Sequence, residues 1–392
     1  MPHRHSPLTR HCIVPPHILR AMLQHDELRD AAVRTLLSSS RLREKRALLG
    51  ALPVQSSTGT LRRAIYDAHH SEDLPGELVR SEGQAPANDS AVNAAYDGLG
   101  ATYEFYQKVF NRSSIDGKGM RLEASVHYSR KYMNAYWDGH EMVFGDGDGV
   151  VFRDFTGAID VIGHELTHGV TAELSGLEYH KQPGALNESF SDVMGSMVKQ
   201  YELGQSAAQA DWWIGEGILG PTIHGKALRS MKAPGTAYDD PRLGGRDPQP
   251  ADMAHYANLP DDEWDDFGGV HINSGIPNHA FYLAATSLGG NAWDVAGPIW
   301  YETLGMLQPS SQFADCAALT IQVAKAHFGA AAVDAVTSAW RSVGVRPANG
   351  PAFARASNGA AVPSSSGQLE AHLQRLIDDL QALMRDLRSK SC

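Results

Sequence analysis

The pentapeptide HELTH, residues 164 to 168, carries two histidines four residues apart, with a glutamate directly after the first. On an α-helix, positions i and i+4 lie about 40° apart around the axis, so His164 and His168 can direct their ring nitrogens toward one metal ion. Glu165 is offset by about 100° and would stand beside that ion. The same segment carries an apolar stripe that can anchor the helix in a core, formed by Ile159, Ile162, Leu166 and Val170.

A catalytic zinc ion takes three protein ligands and leaves its fourth position to water, so two histidines are one ligand short. The best third candidate is Glu188 in ALNESFSD, which begins the next predicted helix after a loop near Ser175. Asp192 lies one turn further on the same face. Its carboxylate can orient a ligand histidine through the ring N–H that faces away from the metal.

A third stretch, DDFGGVHINSGI, places Asp266 five residues before His271 across a Gly-Gly turn. A histidine presented by such a turn, with a carboxylate to hold its tautomer, can donate a hydrogen bond to an oxyanion as it forms. The three stretches together predict metal-assisted hydrolysis. A simpler alternative is that HExxH arose by chance and that both histidines are satisfied on a surface helix.

The composition excludes several classes of function. The 392 residues are 42% hydrophobic and 20% charged, and no apolar run approaches the length of a membrane span. A net charge of -11, without clustered Lys and Arg, argues against nucleic acid as a partner. Three scattered cysteines, Cys12, Cys316 and Cys392, make neither a disulfide framework nor a cysteine zinc site.

The pattern along the chain predicts an α+β fold with two lobes. Tyr-rich, Gly-broken runs up to Phe155 are typical of strands and turns, whereas long helical patterns follow from Thr156 onward. The leading segment contains a predicted helix preceded by the stiff VPPHIL, and it lacks the apolar core of a secretory signal. We therefore expect synthesis in the cytoplasm. Secretion without a signal peptide is an alternative that the sequence leaves open.

The C-terminal end is predicted to be a linker over 347–366 and a helical tail over 367–392. Six leucines recur there with coiled-coil spacing, at Leu369, Leu373, Leu376, Leu380, Leu383 and Leu387. Such a seam must pair with another chain or lie back on its own body. Self-association through residues 369–387 is one expectation, and Cys392 could cross-link parallel chains.

HELTH, ALNESFSD and GGVHINSGI, with the supporting SVHYS, NAYW and ALRSM, resemble the thermolysin family of zinc metallopeptidases. The resemblance covers roughly residues 56 to 346, with the motifs in the expected order. It implies a β-rich N-terminal lobe over 56–174 that includes the HExxH helix, and a mostly helical C-terminal lobe over 175–346. The active-site helix would lie between the lobes. The leading residues 1–55 are similar to the short propeptide of the protealysin branch.

The resemblance also implies roles for single residues. His164, His168 and Glu188 would bind zinc, with Asp192 and Asn187 behind them, and Glu165 would be the general base. The remaining implied site residues would stabilise the oxyanion or hold the substrate. His271, backed by Asp266, and Tyr179 would stabilise the oxyanion. The substrate backbone would be bound by Asn134, Ala135 and Arg229. The pocket for the residue after the scissile bond would be lined by Phe152, Phe155, Val161 and Leu228.

The family's paired calcium site would use Asp160, Asp211 and Glu216, all present in this chain. Its bridging acid is replaced by Lys199, however, and a further acidic position by Trp213. An ammonium there could pair with the remaining carboxylates. We therefore expect the double calcium site to be lost, with a single weaker ion left open.

The leading segment would lie in the cleft as an inhibitory plug and be removed near Pro53 to Ser57. Proline resists hydrolysis in many protease subsites because its ring fixes φ and removes the N–H. Cys12 or His17 could then approach the zinc. The alternative is a helical arm that packs on the surface as a folding aid.

The sequence therefore predicts a zinc endopeptidase made as a zymogen, which cleaves peptide or protein substrates before Leu, Phe or similar residues. A catalytically quiet binding protein that keeps the zinc site is one rival, against which Glu165 and His271 argue. A zinc exopeptidase is another, and it would need a group that captures a free chain terminus.

Overall fold

The computed structural model describes residues 12–49 and 60–348, with the side chains of 12–40 and 60–348. Two helices come first, α1 (Pro16–Met22) and α2 (Asp26–Leu49). Pro16 begins α1 at a position where a missing N–H costs nothing and a fixed φ suits the helix. The predicted cleavage region near 53–57, most of the linker and the leucine-rich tail lie outside the described residues.

The N-terminal lobe is built on a sheet of five short strands. In chain order these are β1 (Arg63–Asp67), β2 (Glu77–Ser81), β3 (Leu122–Val126), β4 (Ala135–Trp137) and β5 (Glu141–Phe144). Their order across the sheet is β2-β1-β3-β5-β4, with β1, β3 and β5 parallel to one another and the two outer strands antiparallel to their neighbours. The backbone of β4 therefore lies at the sheet edge, where a further strand can pair.

A long helix, α3 (Ser90–Phe110), lies inside the stretch predicted to be mostly strands and turns, and the sequence analysis did not identify it. The Asp89 side chain caps it by accepting hydrogen bonds from the backbone N–H groups of Ala91 and Val92 at 2.8 and 3.1 Å. The helix buries an apolar face, which includes Val92, Ala95, Leu99 and Tyr103. These residues recur at spacings of three and four, a pattern that indicates an amphipathic helix.

Helices α4 (Ile159–Leu174) and α5 (Lys181–Leu203) pack along each other and carry the predicted metal ligands. They approach closely because glycines lie where they meet. A Cβ added at Gly163 would come within 3.0 Å of the Cα of Gly195, and one added at Gly195 would collide with the carbonyl oxygen of Asp160. A larger residue at either position would push the helices apart and with them the side chains of the site.

The C-terminal lobe is mostly helical, as predicted, and the α+β fold is confirmed. It contains α6 (Asp266–Asn273), α7 (Gly275–Leu288), α8 (Ala296–Leu304), α9 (Phe313–His327) and α10 (Ala330–Ser342), with the two-residue strands β6 (Trp213–Ile214), β7 (Arg229–Ser230), β8 (Asp239–Asp240) and β9 (Gly245–Arg246) before them. Stacked rings of Trp300 and Trp340 join α8 to α10. Among the described residues, no helix combines the length and apolar character needed to cross a bilayer.

His127, directly after β3, forms hydrogen bonds with two carboxylates that are far apart in the sequence of the N-terminal lobe. Its Nδ1 lies 2.8 Å from Asp146 Oδ1, and its Nε2 lies 3.0 Å from Asp89 Oδ2, the carboxylate that caps α3. The hydrogen bond with Asp146 chiefly, and that with Asp89, outweigh partial burial and raise the pKa of His127 to about 9.

The raised pKa of His127 gives the stability of the lobe a defined pH dependence. The stabilisation is complete below the unfolded pKa of about 6.5 and is lost as the pH rises through about 9. We expect His127→Gln to lower the free energy of unfolding by about 1–2 kcal/mol at pH 6, after allowance for partial exposure, and by much less at pH 10. Chemical denaturation at both pH values measures this, with the exposed His224→Gln as control. An equal loss at both pH values would contradict the assignment.

Candidate active site

Helix α4 places His164, Glu165 and His168 in the interior, where each is 0% exposed. The alternative of two histidines satisfied on a surface helix is therefore wrong. Their polar atoms must find partners within the protein, since burial without a partner costs several kcal/mol for a polar group (about 2–7 by transfer). Those partners define the site.

The two imidazoles meet the carboxylate of Glu188, which α5 supplies. The Nε2 atoms of His164 and His168 lie 3.0 Å apart, and each lies 3.5 Å from an oxygen of Glu188. Within the part of the chain that the structure describes, this is the one group of three or more histidine, cysteine or acidic side chains close enough to share an ion. Neither Cys12 nor His17 belongs to it.

The hydrogen bonds behind the rings fix which nitrogens carry hydrogen. His164 Nδ1 donates to Asp192 Oδ1 at 2.8 Å, and His168 Nδ1 donates to Asn187 Oδ1 at 2.9 Å. The amide orientation of Asn187 is set by its Nδ2, which donates to a backbone carbonyl. With hydrogen on Nδ1, each imidazole can present the lone pair of Nε2 to the same point, where a cation can accept both.

Glu188 completes the donor set. Its Oε1 accepts a hydrogen bond from the hydroxyl of Tyr179, whereas its buried Oε2 accepts none from any described residue. A buried carboxylate oxygen without a donor is expensive unless it binds a cation. Two imidazole nitrogens and one carboxylate fit the three-ligand arrangement of a catalytic zinc site.

Asp192 is the hydrogen-bonding centre behind the ligands. One of its oxygens accepts from His164 and from Arg229 Nη2 at 2.8 Å, and the other accepts from Arg229 Nε and Asn278 Nδ2, each at 2.8 Å. Burial would raise its pKa, but the charge of Arg229 and the bond from His164 hold the pKa of Asp192 well below its usual range. The carboxylate stays ionised and keeps His164 in one tautomer.

His271 is presented by an unusual turn at the start of α6. Asp266 and Phe267 take positive φ values of 58° and 52°, and Gly268 and Gly269 follow at 84° and 74°. This left-handed run is strained for side-chain residues and easy for glycine. It folds Asp266 back onto His271, where its oxygens accept from the backbone N–H at 2.8 Å and from Nδ1 at 2.6 Å.

Both ring nitrogens of His271 act as donors. Nδ1 faces Asp266, and Nε2 lies 2.9 Å from the carbonyl oxygen of Cys12, which can only accept. Burial alone would lower its pKa, but Asp266 and Glu188 outweigh burial and raise the pKa of His271 to about 9. The imidazolium is therefore a charged hydrogen-bond donor near the ligands. The Tyr179 hydroxyl lies 3.3 Å from the same Nε2.

Residues 12–14 lie across the site as an added strand. Ile13 N donates to the carbonyl of Ala135 on edge strand β4 at 3.3 Å, and Val14 N donates to Asn134 Oδ1 at 2.9 Å. Asn134 Nδ2 donates in turn to the Val14 carbonyl at 3.4 Å. On the opposite side, Arg229 Nη1 donates to the Ile13 carbonyl at 3.1 Å.

The remaining predicted residues lie near this strand or in the core around it. Glu165 Oε2 accepts from the backbone N–H of Trp137, on β4, at 3.1 Å. The four residues predicted to line the apolar pocket are all buried: Phe152, Phe155, Val161 and Leu228. The rings of Phe152 and Phe155 lie 5.5 Å apart.

The predicted calcium ligands surround an ammonium group. Lys199 Nζ lies 2.8 Å from Asp211, 3.3 Å from Glu216 and 3.9 Å from Asp160. Burial lowers and the three carboxylates raise the pKa of Lys199, with a net increase, so the amine is protonated. Burial raises the pKa of Asp160 to about 6 in spite of Lys199. Trp213 donates only its backbone N–H to the cluster, to Asp211 at 2.9 Å.

Comparison with known proteins decides the family. The profile of the thermolysin metallopeptidase catalytic domain matches residues 54–172, and that of the alpha-helical domain of the same peptidases matches residues 175–345. The chain belongs to the thermolysin family of metallopeptidases. Membership in that family, together with the group of His164, His168 and Glu188, makes the chain a zinc metalloendopeptidase and confirms the predicted activity.

Individual relatives of the thermolysin family cover most of the chain. An extracellular metalloprotease of Pectobacterium carotovorum subsp. carotovorum is 49% identical over 85% of this chain and 96% of its own. The protease PrtS of Photorhabdus sp. (strain Az29) is 46% identical over 85% of this chain and 92% of its own. The solved precursor of protealysin, a metalloproteinase from Serratia proteamaculans, is 51% identical, with a TM-score of 0.78 over 86% of this chain and 99% of that one. Protealysin-like architecture is thus confirmed.

Two side chains of this thermolysin-family site were missed by the sequence reading. Ser191 Oγ lies 3.0 Å from His168 Nδ1, and Asn278, on α7, donates to Asp192. Ser191 lies inside ALNESFSD, one turn after Asn187, so helical spacing could have found it. Asn278 gave no comparable signal, because its partner Asp192 lies 86 positions away in the chain.

The geometry predicts that Asp192 controls metal affinity. We expect Asp192→Asn to weaken zinc binding by about 10- to 100-fold, because the amide orients His164 without a charge. Competition against a zinc-binding dye measures the dissociation constant, and circular dichroism of the metal-free protein monitors folding. Asp334→Asn, exposed on α10, is the matched control. Unchanged affinity in a folded Asp192→Asn variant would contradict the assignment.

Proposed function

We propose that this zinc endopeptidase hydrolyses peptide bonds on the N-terminal side of bulky apolar residues, with Glu165 as general base. The observation that carries the proposal is the strand formed by residues 12–14. Its backbone engages Asn134, Ala135, Arg229 and His271 as an extended peptide would. A peptide added to the edge of a sheet in this way is held by main-chain bonds and selected by side-chain pockets.

His164, His168 and Glu188 are the proposed zinc ligands, held in place by Asp192, Asn187 and Tyr179. A zinc ion bound there supplies Lewis acidity and lowers the pKa of coordinated water to about 7. The chain itself contributes buried ligands, and hydrogen bonds orient both histidine rings without the metal. Little reorganisation is then needed during catalysis.

Glu165 is proposed to take a proton from the attacking water and pass it to the leaving amine. Its carboxylate belongs to the same helix turn as His164 and is fixed through Oε2 by the N–H of Trp137. Because Trp137 lies on β4, next to the strand position that holds the substrate, the base and the scissile bond are positioned by one element. General base catalysis of this kind contributes about 10²- to 10⁴-fold.

His271 and Tyr179 are the proposed oxyanion donors. His271 already donates Nε2–H to a carbonyl in the cleft, and Asp266 balances its charge. As negative charge develops on the carbonyl oxygen, a charged donor at hydrogen-bonding distance gains strength. One such donor contributes about 10²- to 10³-fold.

The pocket for the residue after the scissile bond is proposed at Phe152, Phe155, Val161 and Leu228. Ile13 supports this preference, since it is a bulky apolar residue that is fully buried directly after the carbonyl that faces His271. Each side chain of the Leu or Phe size that leaves water contributes about 1.5–3 kcal/mol. This difference favours substrates with bulky apolar residues at that position.

Residues 1–55 are proposed to act as an inhibitory propeptide, removed near Pro53 to Ser57. The described part supports a plug rather than a surface arm, because residues 12–14 occupy the groups assigned to substrate. His17 follows in α1, with Nε2 3.0 Å from the Tyr238 hydroxyl, and burial lowers its pKa to about 4. The solved structure of the protealysin precursor, which is 51% identical to this chain, supports synthesis as a zymogen.

Lys199 is proposed to replace calcium between Asp160, Asp211 and Glu216. Three clustered carboxylates need a positive charge, and the ammonium supplies it without an ion. Action outside the cell is proposed from the extracellular metalloprotease of Pectobacterium. We also propose self-association through residues 369–387, which lie outside the residues that the structure describes.

The role of Glu165 is tested by Glu165→Gln. We expect kcat/KM on a Leu-containing peptide to fall by at least about 10²- to 10⁴-fold, with zinc content unchanged, because the amide cannot accept the proton. Glu173→Gln, exposed on the same helix, is the matched control and should retain activity. Retained peptidase activity in Glu165→Gln would refute the role. A binding protein without catalysis would show no activity in the parent chain even after residues 1–55 have been removed.

The role of Lys199 is tested by Lys199→Met. Removal of the ammonium leaves three carboxylates together, so we expect the free energy of unfolding to fall by about 1–3 kcal/mol. Millimolar calcium should restore part of the loss in Lys199→Met and have little effect on the parent chain or on exposed Lys325→Met. Thermal unfolding with calcium or a chelator measures both. A parent chain that calcium stabilises strongly would contradict the proposal.

A further inference from the structure

We infer that the peptide bond between Cys12 and Ile13 is a self-cleavage site, hydrolysed by the active site of the same molecule. The inference rests on the proposed function and adds to it a defined substrate. The leading segment then acts as a substrate in register as well as an inhibitor. The site lies well before the region near Pro53 to Ser57 at which removal of the segment is proposed.

The hydrogen-bond register places this bond. His271 Nε2 donates to the carbonyl of Cys12, so that carbonyl stands where the proposed oxyanion donor acts. The next carbonyl, of Ile13, accepts from Arg229, and the Ile13 N–H donates to Ala135. The pattern continues with both backbone groups of Val14 on Asn134. Asn134, Ala135, Arg229 and His271 thus bind consecutive backbone groups from the Cys12 carbonyl to the Val14 carbonyl.

The side chains on either side of the bond agree with this register. Ile13, directly after it, is a bulky apolar residue with 0% exposure, the type that the proposed specificity requires. Cys12, directly before it, packs in a buried cluster with Tyr128, Tyr132 and Tyr136. Its thiol points to the Val14 carbonyl at 3.8 Å. The backbone carbonyl of Cys12 faces His271.

The proposed step is an ordinary amide hydrolysis. The oxygen of water forms a bond to the carbonyl carbon of Cys12, and the bond from that carbon to the nitrogen of Ile13 breaks. Glu165 takes one proton from the water and delivers it to the departing nitrogen. The products are a carboxylate on Cys12 and a new amino terminus on Ile13. Water is the only co-reactant, and nothing is oxidised or reduced.

The segment after the bond stays attached once it is cut. Arg20 pairs with Asp265 at 3.6 Å and lies over the ring of Trp264. Further along, Thr35 Oγ1 accepts from the backbone of Met133 at 3.1 Å, and Ser39 bonds to the Tyr132 hydroxyl at 2.9 Å. The nick therefore leaves the cleft covered. Release of inhibition still needs the later cleavage between the segment and the enzyme.

Intact mass measurement of the zinc-loaded full chain during incubation tests the inference. We expect a species that begins at Ile13, formed at a rate independent of protein concentration because the bond and the active site belong to one molecule. Glu165→Gln, loaded with zinc in the same way, should not form it. A species that begins at another residue between Val14 and Leu19, or an Ile13 terminus in Glu165→Gln, would overturn the inference.

Substitution of Ile13 separates the register from general instability. Ile13→Leu should be cut at the same bond, whereas Ile13→Asp should not, because a carboxylate would enter an apolar pocket. A readout that needs no catalysis is amide hydrogen exchange in zinc-loaded Glu165→Gln. The amides of residues 13 and 14 should be protected there and should lose protection when Ile13→Asp is added. Unprotected amides in the Glu165→Gln chain would overturn the register.

A reporter peptide with Leu after its scissile bond distinguishes failure of the inference from failure of the proposed function. If the incubated chain hydrolyses the reporter but no Ile13 terminus forms, self-cleavage at this bond is overturned and the endopeptidase assignment stands. If the Ile13 terminus forms while the reporter stays intact, the inference stands, because the nick leaves the cleft covered. If no Ile13 terminus forms and the reporter stays intact even after a protease has removed the segment near Pro53 to Ser57, both are overturned. Addition of a zinc chelator should stop both reactions together.

Discussion

The buried carboxylate of Asp192 is the constraint on which the site depends. It accepts four hydrogen bonds from three side chains, His164, Arg229 and Asn278, contributed by different elements of the fold. A buried anion is tolerated only when its charge is paired and its lone pairs are filled, and both conditions hold here. Through this one group, the orientation of His164, a proposed metal ligand, is coupled to that of Arg229, which binds the Ile13 carbonyl.

Close packing of α4 and α5 makes that coupling geometrically possible. Gly163 and Gly195 let the two backbones approach, so side chains from one helix reach functional groups of the other within ordinary hydrogen-bond distance. The same packing puts His164, Glu165, His168 and every partner behind them at 0–2% exposure. The hydrogen bonds behind the two histidines restrict their motion, which lets the site keep its geometry as charge moves during the reaction.

The sequence predicted the residues whose spacing is fixed by one element. HExxH and the Glu188–Asp192 pair lie on single helices, and Asp266 reaches His271 over five residues, so local geometry was enough to assign them. The prediction failed where the relevant distance is long. Asn278 reaches Asp192 across 86 positions, and Cys12 reaches His271 across 259, and no periodicity in the chain encodes such contacts. Helix α3 is a different case. Its apolar residues recur at helical spacing in the sequence, but the segment was interpreted as strands and turns.

The strand of residues 12–14 shows how one set of groups can serve inhibition and catalysis. The hydrogen bonds from Asn134, Ala135, Arg229 and His271 to this strand all involve its backbone, and backbone is common to all peptides. A segment tethered to the enzyme competes at a high effective concentration, so it needs no tighter contacts than a substrate makes to exclude one. Under the proposed function, the tether and the anchors on α1 and α2 keep the strand in the cleft, and inhibition ends once the segment has been cut from the enzyme and has left. The cleft would then need no rearrangement to bind a substrate, because its groups already hold an extended peptide.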